Sequence, residues 1–141
     1  MEFKTFITQH LVKSEDLNHH GTLYAGRTAE WFVESGFIAA ASLTRPENIV
    51  CMNIHGMTFT RPIQLGELVC FESVIVFTGR SRMVAHIEMK ASGETDVRGF
   101  ITFVHVDKEG RAIPHGLTFE PKTPREIELQ EQAKNLRADP I

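Results

Sequence analysis

What this chain lacks narrows its chemistry first. It has no run of lysine and arginine and no basic excess: the formal charge is −3 and the pI about 6.2. Nothing therefore supplies the positive field that holds a nucleic-acid backbone, and no nucleic-acid partner is expected. The opening residues, MEFKTFITQHLV, lack the basic stretch, continuous apolar segment and small-residue cleavage site of a secretory signal, so the expected location is cytoplasmic. No apolar run reaches the ~20 residues of a membrane span, because Arg27, Glu30 and Glu34 interrupt the best candidate. Cysteine is scarce. Cys51 and Cys70 stand far apart inside apolar runs and read as reduced core thiols, not as a disulfide or redox pair. There is no Gly-x-Ser-x-Gly elbow, no Walker-type loop and no His-Glu-x-x-His helix, and His55, His86, His105 and His115 have no metal-ligand spacing. Serine-hydrolase and nucleoside-triphosphatase mechanisms are thus unsupported, and no metal is expected.

What is present fits one domain over residues 1–141. Apolar residues make up 42% and charged residues 23%, close to the average for a packed globular chain. Phe3–Val12 is rich in aromatic and β-branched residues and predicts a strand. After a polar loop, Thr22 to Leu43 contains no proline and predicts a helix of about 22 residues and roughly 33 Å. Its apolar residues run round most of the circumference, which predicts burial on nearly all sides. Beyond Arg45-Pro46, the runs Ile49–Pro62, Leu68–Phe77, Met83–Lys90 and Val97–Val106 predict an antiparallel meander. In Met83–Lys90 the alternation implies one covered face and a wetter face carrying His86, Glu88 and Lys90. In Ile49–Pro62 the apolar parity slips at His55-Gly56, which predicts a β-bulge there. Thr123-Pro124-Arg125-Glu126 reads as a capping box opening a polar surface helix at about 124–137. The sum is an α+β fold, a curved antiparallel five-stranded sheet wrapped around one long central helix. Its free strand edges predict pairing with a second copy, a homodimer with a continuous sheet.

Three segments carry chemistry. Asn18-His19-His20-Gly21 precedes the long helix, where orphan N–H groups and the helix dipole favour an anion or a developing oxyanion. The plainer reading is a turn residue with two surface histidines. Glu34 is a carboxylate on a helix expected to be buried, which asks for a use; alternatively it shares a solvent stripe with Arg27 and Glu30. The turn Thr78-Gly79-Arg80-Ser81-Arg82 offers two guanidinium groups to a phosphate, or is an ordinary surface turn.

Taken together, Asn18-His19-His20-Gly21-Thr22-Leu23-Tyr24-Ala25-Gly26, Trp31-Phe32-Val33-Glu34-Ser35-Gly36, His55-Gly56-Met57-Thr58-Phe59-Thr60-Arg61-Pro62 and the Thr78-Gly79-Arg80-Ser81 turn resemble the acyl-CoA thioesterases of the hot-dog fold. The likeness runs from about residue 5 to residue 106, in the family's order and spacing. It implies hydrolysis of acyl-CoA to free acid and CoA, with no cofactor besides the CoA of the substrate. It also implies a homodimer or higher homo-oligomer with active sites at the interface. In the family pattern the loop asparagine, here Asn18, works with an acidic helix residue from the partner subunit. Counting from Gly26, that acidic position falls at Val33, and the carboxylate present is Glu34, one residue on and about 100° further round the helix.

The expected catalytic set is Asn18 orienting a water, Glu34 as general base or nucleophile, and the Gly21 N–H as oxyanion donor. His19 or His20 would tune the carboxylate or touch the substrate. Arg80, Ser81 and Arg82 would meet the CoA phosphates, and Phe32 and Phe37 would line the acyl chain. Two rivals remain: a non-catalytic acyl-CoA binding or sensing protein, and a hot-dog hydratase or dehydratase pairing a histidine with Glu34.

Overall fold

A computed structural model describes residues 1–136. Strand β1 (Thr5–Leu11) is followed by helix α1 (Ala25–Ala41), then strands β2 (Ile49–Ile54), β3 (Leu68–Thr78), β4 (Arg82–Lys90) and β5 (Thr95–His105), and helix α2 (Pro124–Lys134). The five strands form one sheet in the order β1-β3-β4-β5-β2, every neighbouring pair antiparallel. The expected α+β architecture, a five-stranded sheet curved round a long helix, is the one observed. The final residue of the expected 124–137 helix lies outside the described residues.

Helix α1 is shorter than its composition predicts. Thr22 and Leu23 are held extended by isolated bridges to Gln64 and Leu17, and the Leu23 N–H donates to the Ile63 carbonyl at 2.8 Å. Those backbone bonds delay the helix until Tyr24, its N-cap residue. Nor is the helix covered on nearly all sides. Its buried residues are Thr28, Trp31, Phe32, Ser35, Gly36, Ala39 and Ala40, a single stripe at three- and four-residue spacing. The sheet curves round that stripe alone, so Glu30 and Glu34 are exposed and Val33, Phe37, Ile38 and Ala41 are half-buried. The packing is close: a Cβ on Gly36 would stand 3.1 Å from Ile87 and 3.3 Å from Phe103. Trp31 stacks flat on His10 of β1, ring centres 4.2 Å apart, and Ser73 of β3 donates its hydroxyl to the Ser35 carbonyl.

Strand β2 also differs from expectation. It ends at Ile54, and its register slips between Cys51 and Asn53, not at His55-Gly56. His55 makes one more bond to the Phe100 carbonyl. Gly56, with φ of +100°, then turns the chain across β5 so tightly that a Cβ on Gly99 would lie 2.3 Å from the Gly56 carbonyl oxygen. The extra residue is Met52, within β2, and Asn53, His55 and Met57 stay on one half-buried parity across His55-Gly56. As an edge strand, β2 leaves Cys51 exposed together with Val50, Met52 and Ile54, and Cys70 is only half-buried. The two thiols are free, as expected, but neither is a core residue.

The outer face of β4 is drier than its pattern suggests. Leu129 and Ala133 of α2 are buried against Val76 and Val84, and Gln130 Nε2 donates to the carbonyls of Val76 and Phe119. The Thr123 hydroxyl caps the Glu126 N–H, while the Glu126 carboxylate accepts from Lys122, one residue before the reciprocal partner of a full capping box. Beside this helix His86 is 5% exposed and packs 4.9 Å from the Phe100 ring. Burial lowers its pKa to about 4; Glu88 opposes the shift, and Arg125 and Arg98 add to it. Between that value and the ~6.5 of an unfolded histidine, the unfolded chain holds more protons, so stability falls as pH drops through the interval. His86→Leu should remove that loss. In urea unfolding at pH 7 and pH 4.5, wild type should lose up to about 3 kcal/mol more than the variant; parallel losses would show that His86 is not the titrating group.

Candidate active site

Asn18 sits in a turn built round its own side chain. Its Oδ1 accepts from the His20 N–H (2.9 Å), the Thr22 N–H (3.2 Å) and the Thr22 hydroxyl (3.3 Å), and its Nδ2 donates one hydrogen to Thr22 Oγ1 at 3.1 Å. Two backbone donors fix which end of the amide is oxygen. What Asn18 has left to offer is its second amide hydrogen, a donor suited to a carbonyl oxygen.

The Gly21 N–H, expected to be an oxyanion donor, is engaged by the Asn18 carbonyl at 3.0 Å and lies four residues before the helix. The groups at the true helix start are different. Arg27 and Thr28 donate to the Tyr24 carbonyl, so Ala25 and Gly26 keep the free N–H groups at the positive end of the dipole. The Tyr24 ring lies over Gly26, where a Cβ would stand 2.4 Å from it. Asp16, buried just upstream, anchors this corner: it accepts the Lys13 N–H, its carbonyl takes the Tyr24 N–H, and its carboxylate lies 3.2 Å from Arg27.

Asn18 and Ala25 open onto a cavity of about 350 Å³ whose floor is Leu23, Ile63, Met89 and Val97, all buried, with Phe59 exposed at the mouth. Sequence reasoning missed most of this wall. Its key is Arg61. Its guanidinium pairs with Asp96 at 2.9 Å and Glu67 at 3.0 Å, joining the loop after β2 to the starts of β3 and β5. Glu67 also takes the Gln64 N–H, and Asp96 takes the Ala91 N–H. Arg61 holds the Glu67 carboxyl below the ordinary range, and both carboxylates' hydrogen bonds raise the Arg61 pKa. The signal was present in Arg61-Pro62, but the partners are 6 and 35 residues away along the chain.

The other expected residues do not meet Asn18 within one protomer. Glu34 is exposed nine residues beyond Ala25, about 13 Å along the helix axis. Arg80, Ser81 and Arg82 occupy the β3–β4 turn, which the register puts at the far end of the sheet, on the order of 30 Å away. There the Arg80 and Arg82 carbonyls bind His115, and the Ser81 carbonyl binds the His105 N–H. His19 and His20 are exposed, their rings 3.9 Å apart, and neither lines the cavity. Phe32, expected beside the acyl chain, has no exposed surface and is sealed against the sheet. Phe37 packs edge-on against Phe103 and lines a separate cavity of about 410 Å³ at the helix's other end.

The architecture agrees with a match to known proteins. A model of the thioesterase superfamily matches residues 20–97, just over half of the chain. The chain belongs to the thioesterase superfamily. It is 29% identical over 124 residues to YkhA of Bacillus subtilis, described as an uncharacterized acyl-CoA thioester hydrolase, a match spanning 84% of this chain and 71% of that one. An apo-hexameric acyl-CoA thioesterase superposes with a TM-score of 0.82 at 24% identity, covering 92% of this chain and 86% of the other. The acyl-CoA hydrolase of Staphylococcus aureus, solved with butyryl-CoA, CoA and CoA disulfide, superposes at 0.77 and 20% identity, covering 92% and 79%. The sheet and helix are therefore a hot-dog fold. Among the described residues no helix is long and apolar enough to cross a membrane, and no three His, Cys, Asp or Glu residues cluster as a metal site.

Arg61→Ala should leave Asp96, 5% exposed at its side chain, as an unpaired buried charge. A loss of about 3 kcal/mol in denaturant unfolding is expected. A loss under 1 kcal/mol would mean the clamp does not hold the cavity wall together.

Proposed function

We propose that this protein is an acyl-CoA thioester hydrolase that works as a homodimer or a higher homo-oligomer, in the cytoplasm where CoA thioesters are made. The observation that carries the reading is that Asn18, with an amide hydrogen to spare, and Ala25, with a free N–H at the start of α1, line the same cavity above an apolar floor. That set is suited to a thioester carbonyl with its hydrocarbon tail below it. The donors take the oxygen as it becomes an oxyanion, a contribution often worth about 3–4 kcal/mol.

The base comes from a second copy. Among the described residues no carboxylate lines the cavity, and Glu34 projects from the helix face that the sheet leaves uncovered. That face, with half-buried Val33, Phe37 and Ile38 and the exposed β2 side chains Val50, Met52 and Ile54, supports pairing along the β2 edge. In the dimer Glu34 of the partner subunit removes a proton from water as it attacks the carbonyl, or attacks directly. The C–S bond breaks, and the products are free acid and CoA thiol. We assign Arg80 and Arg82, which lie far from their own chain's cavity, to the partner's site, where they would meet the CoA phosphates.

Thiol release from acyl-CoA, with the products identified, tests the activity. Glu34→Gln should lower kcat by at least 100-fold. Asn18→Asp keeps the acceptor that organises the turn but removes the free donor, so it should cost on the order of 100-fold in kcat with an unchanged circular dichroism spectrum. Wild-type rates in a folded Glu34→Gln dimer would overturn the mechanism. Tight acyl-CoA binding with no thiol release would favour the sensor reading, to which Val33 at the usual acidic position gives support.

A further inference from the structure

One hydroxyl on the wall of the cavity has no partner within the protein. Thr28, in the first turn of α1, lines the cavity together with Asn18 and Ala25, and it is 3% exposed. Its N–H donates to the Tyr24 carbonyl, but among the described residues its hydroxyl makes no hydrogen bond. A helical serine or threonine can turn its hydroxyl back onto the carbonyl four residues earlier, as Ser42 does to Ile38 at 2.7 Å; Thr28 does not. Nor is its oxygen sealed in packing, as those of Ser35 and Thr44 are, so the little surface that it keeps opens to the cavity. A hydroxyl left unpaired in such a place weakens the fold, and a bond to a ligand would offset that cost.

Thr28 follows Ala25 by three residues, on the same helix face and about 4.5 Å further along the axis. Ala25 is exposed and Thr28 buried, so the step leads inward. The other buried residues of the wall, Leu23, Ile63, Met89 and Val97, have no polar side-chain group to offer. We propose, resting on the hydrolase reading above, that Thr28 is a specificity residue: with the thioester carbonyl at the Ala25 N–H, its hydroxyl bonds an oxygen on the third carbon of the acyl chain. That carbon is two bonds beyond the carbonyl carbon, which matches the short step from Ala25 to Thr28. A threonine hydroxyl both donates and accepts, so a 3-hydroxyl and a 3-ketone are served alike. The rest of the chain buries its surface on the apolar floor.

The test compares 3-hydroxyhexanoyl-CoA with hexanoyl-CoA, the same chain with and without the oxygen, by background-corrected thiol release. Wild type should show kcat/KM about fivefold higher for the hydroxylated thioester, the effect of one net hydrogen bond. Thr28→Val keeps the shape and removes the hydroxyl, so its ratio should fall to one or below; Thr28→Ser keeps the hydroxyl and should hold the ratio above one. Thr28→Val should also melt no lower than wild type, because it leaves no protein group without a partner. A wild-type ratio of one, or a ratio that the folded Thr28→Val does not lower, overturns the assignment. So does a Thr28→Val protein that melts several degrees lower, since the hydroxyl would then be bonded within the protein. Failure to release thiol from any acyl-CoA overturns the hydrolase reading instead. In that event equal affinity of wild type for the two thioesters by calorimetry overturns the role of Thr28 as well.

Discussion

Helix α1 can lie in the hollow of the sheet because its buried stripe tapers along its length. Trp31 and Phe32 fill the wide part of the hollow, and Ser35, Gly36, Ala39 and Ala40 follow where helix and strands come together. At Gly36 even a methyl group would press on Ile87 and Phe103. Side chains in such an interior are packed as densely as in a molecular crystal, so the helix has little freedom to slide or roll. The position of its first turn, and so of the Ala25 and Gly26 N–H groups, is set by contacts made several turns away.

The approach to the helix is fixed from the other side. Short bridges hold Thr22 and Leu23 extended against Gln64 and Leu17, and Asp16 takes the Tyr24 N–H on its carbonyl. The loop that supplies Ile63 and Gln64 is in turn held by Arg61 against Glu67 and Asp96. Backbone pairing and an ion-pair cluster thus meet round one cavity, joining segments that are distant in sequence. Charged clusters of this kind add little to stability when replaced as a whole but cost much when one member is lost, which suits a part whose task is to hold a shape.

The elements with strong periodicity were legible in the sequence: the strands, the long helix, the late capping residue and the curved α+β arrangement all appear where local pattern places them. The errors share a physical cause. The helix start moved from Thr22 to Ala25, the slip in β2 moved from His55-Gly56 to Met52, and the outer face of β4 became dry under α2, each through a contact with a distant segment. The candidate site divides in the same way. Asn18 was visible because its polar turn is local, whereas Arg61 had no readable role until Glu67 and Asp96 stood beside it. Phe32 looked like a ligand contact because composition does not tell the buried stripe of a helix from its open one.

The chemical parts of one protomer point to different places: the Asn18 donor at one end of the cavity, Glu34 about 13 Å along the helix, and the Arg80 turn at the far end of the sheet. In the proposed dimer each site draws its donor from one chain and its base from the other. Two alleles, one damaged at Asn18 and one at Glu34, are then not equivalent to two failures. A mixed dimer carries one site with both lesions and one with neither, so a cell holding both alleles regains part of the activity that each has lost alone.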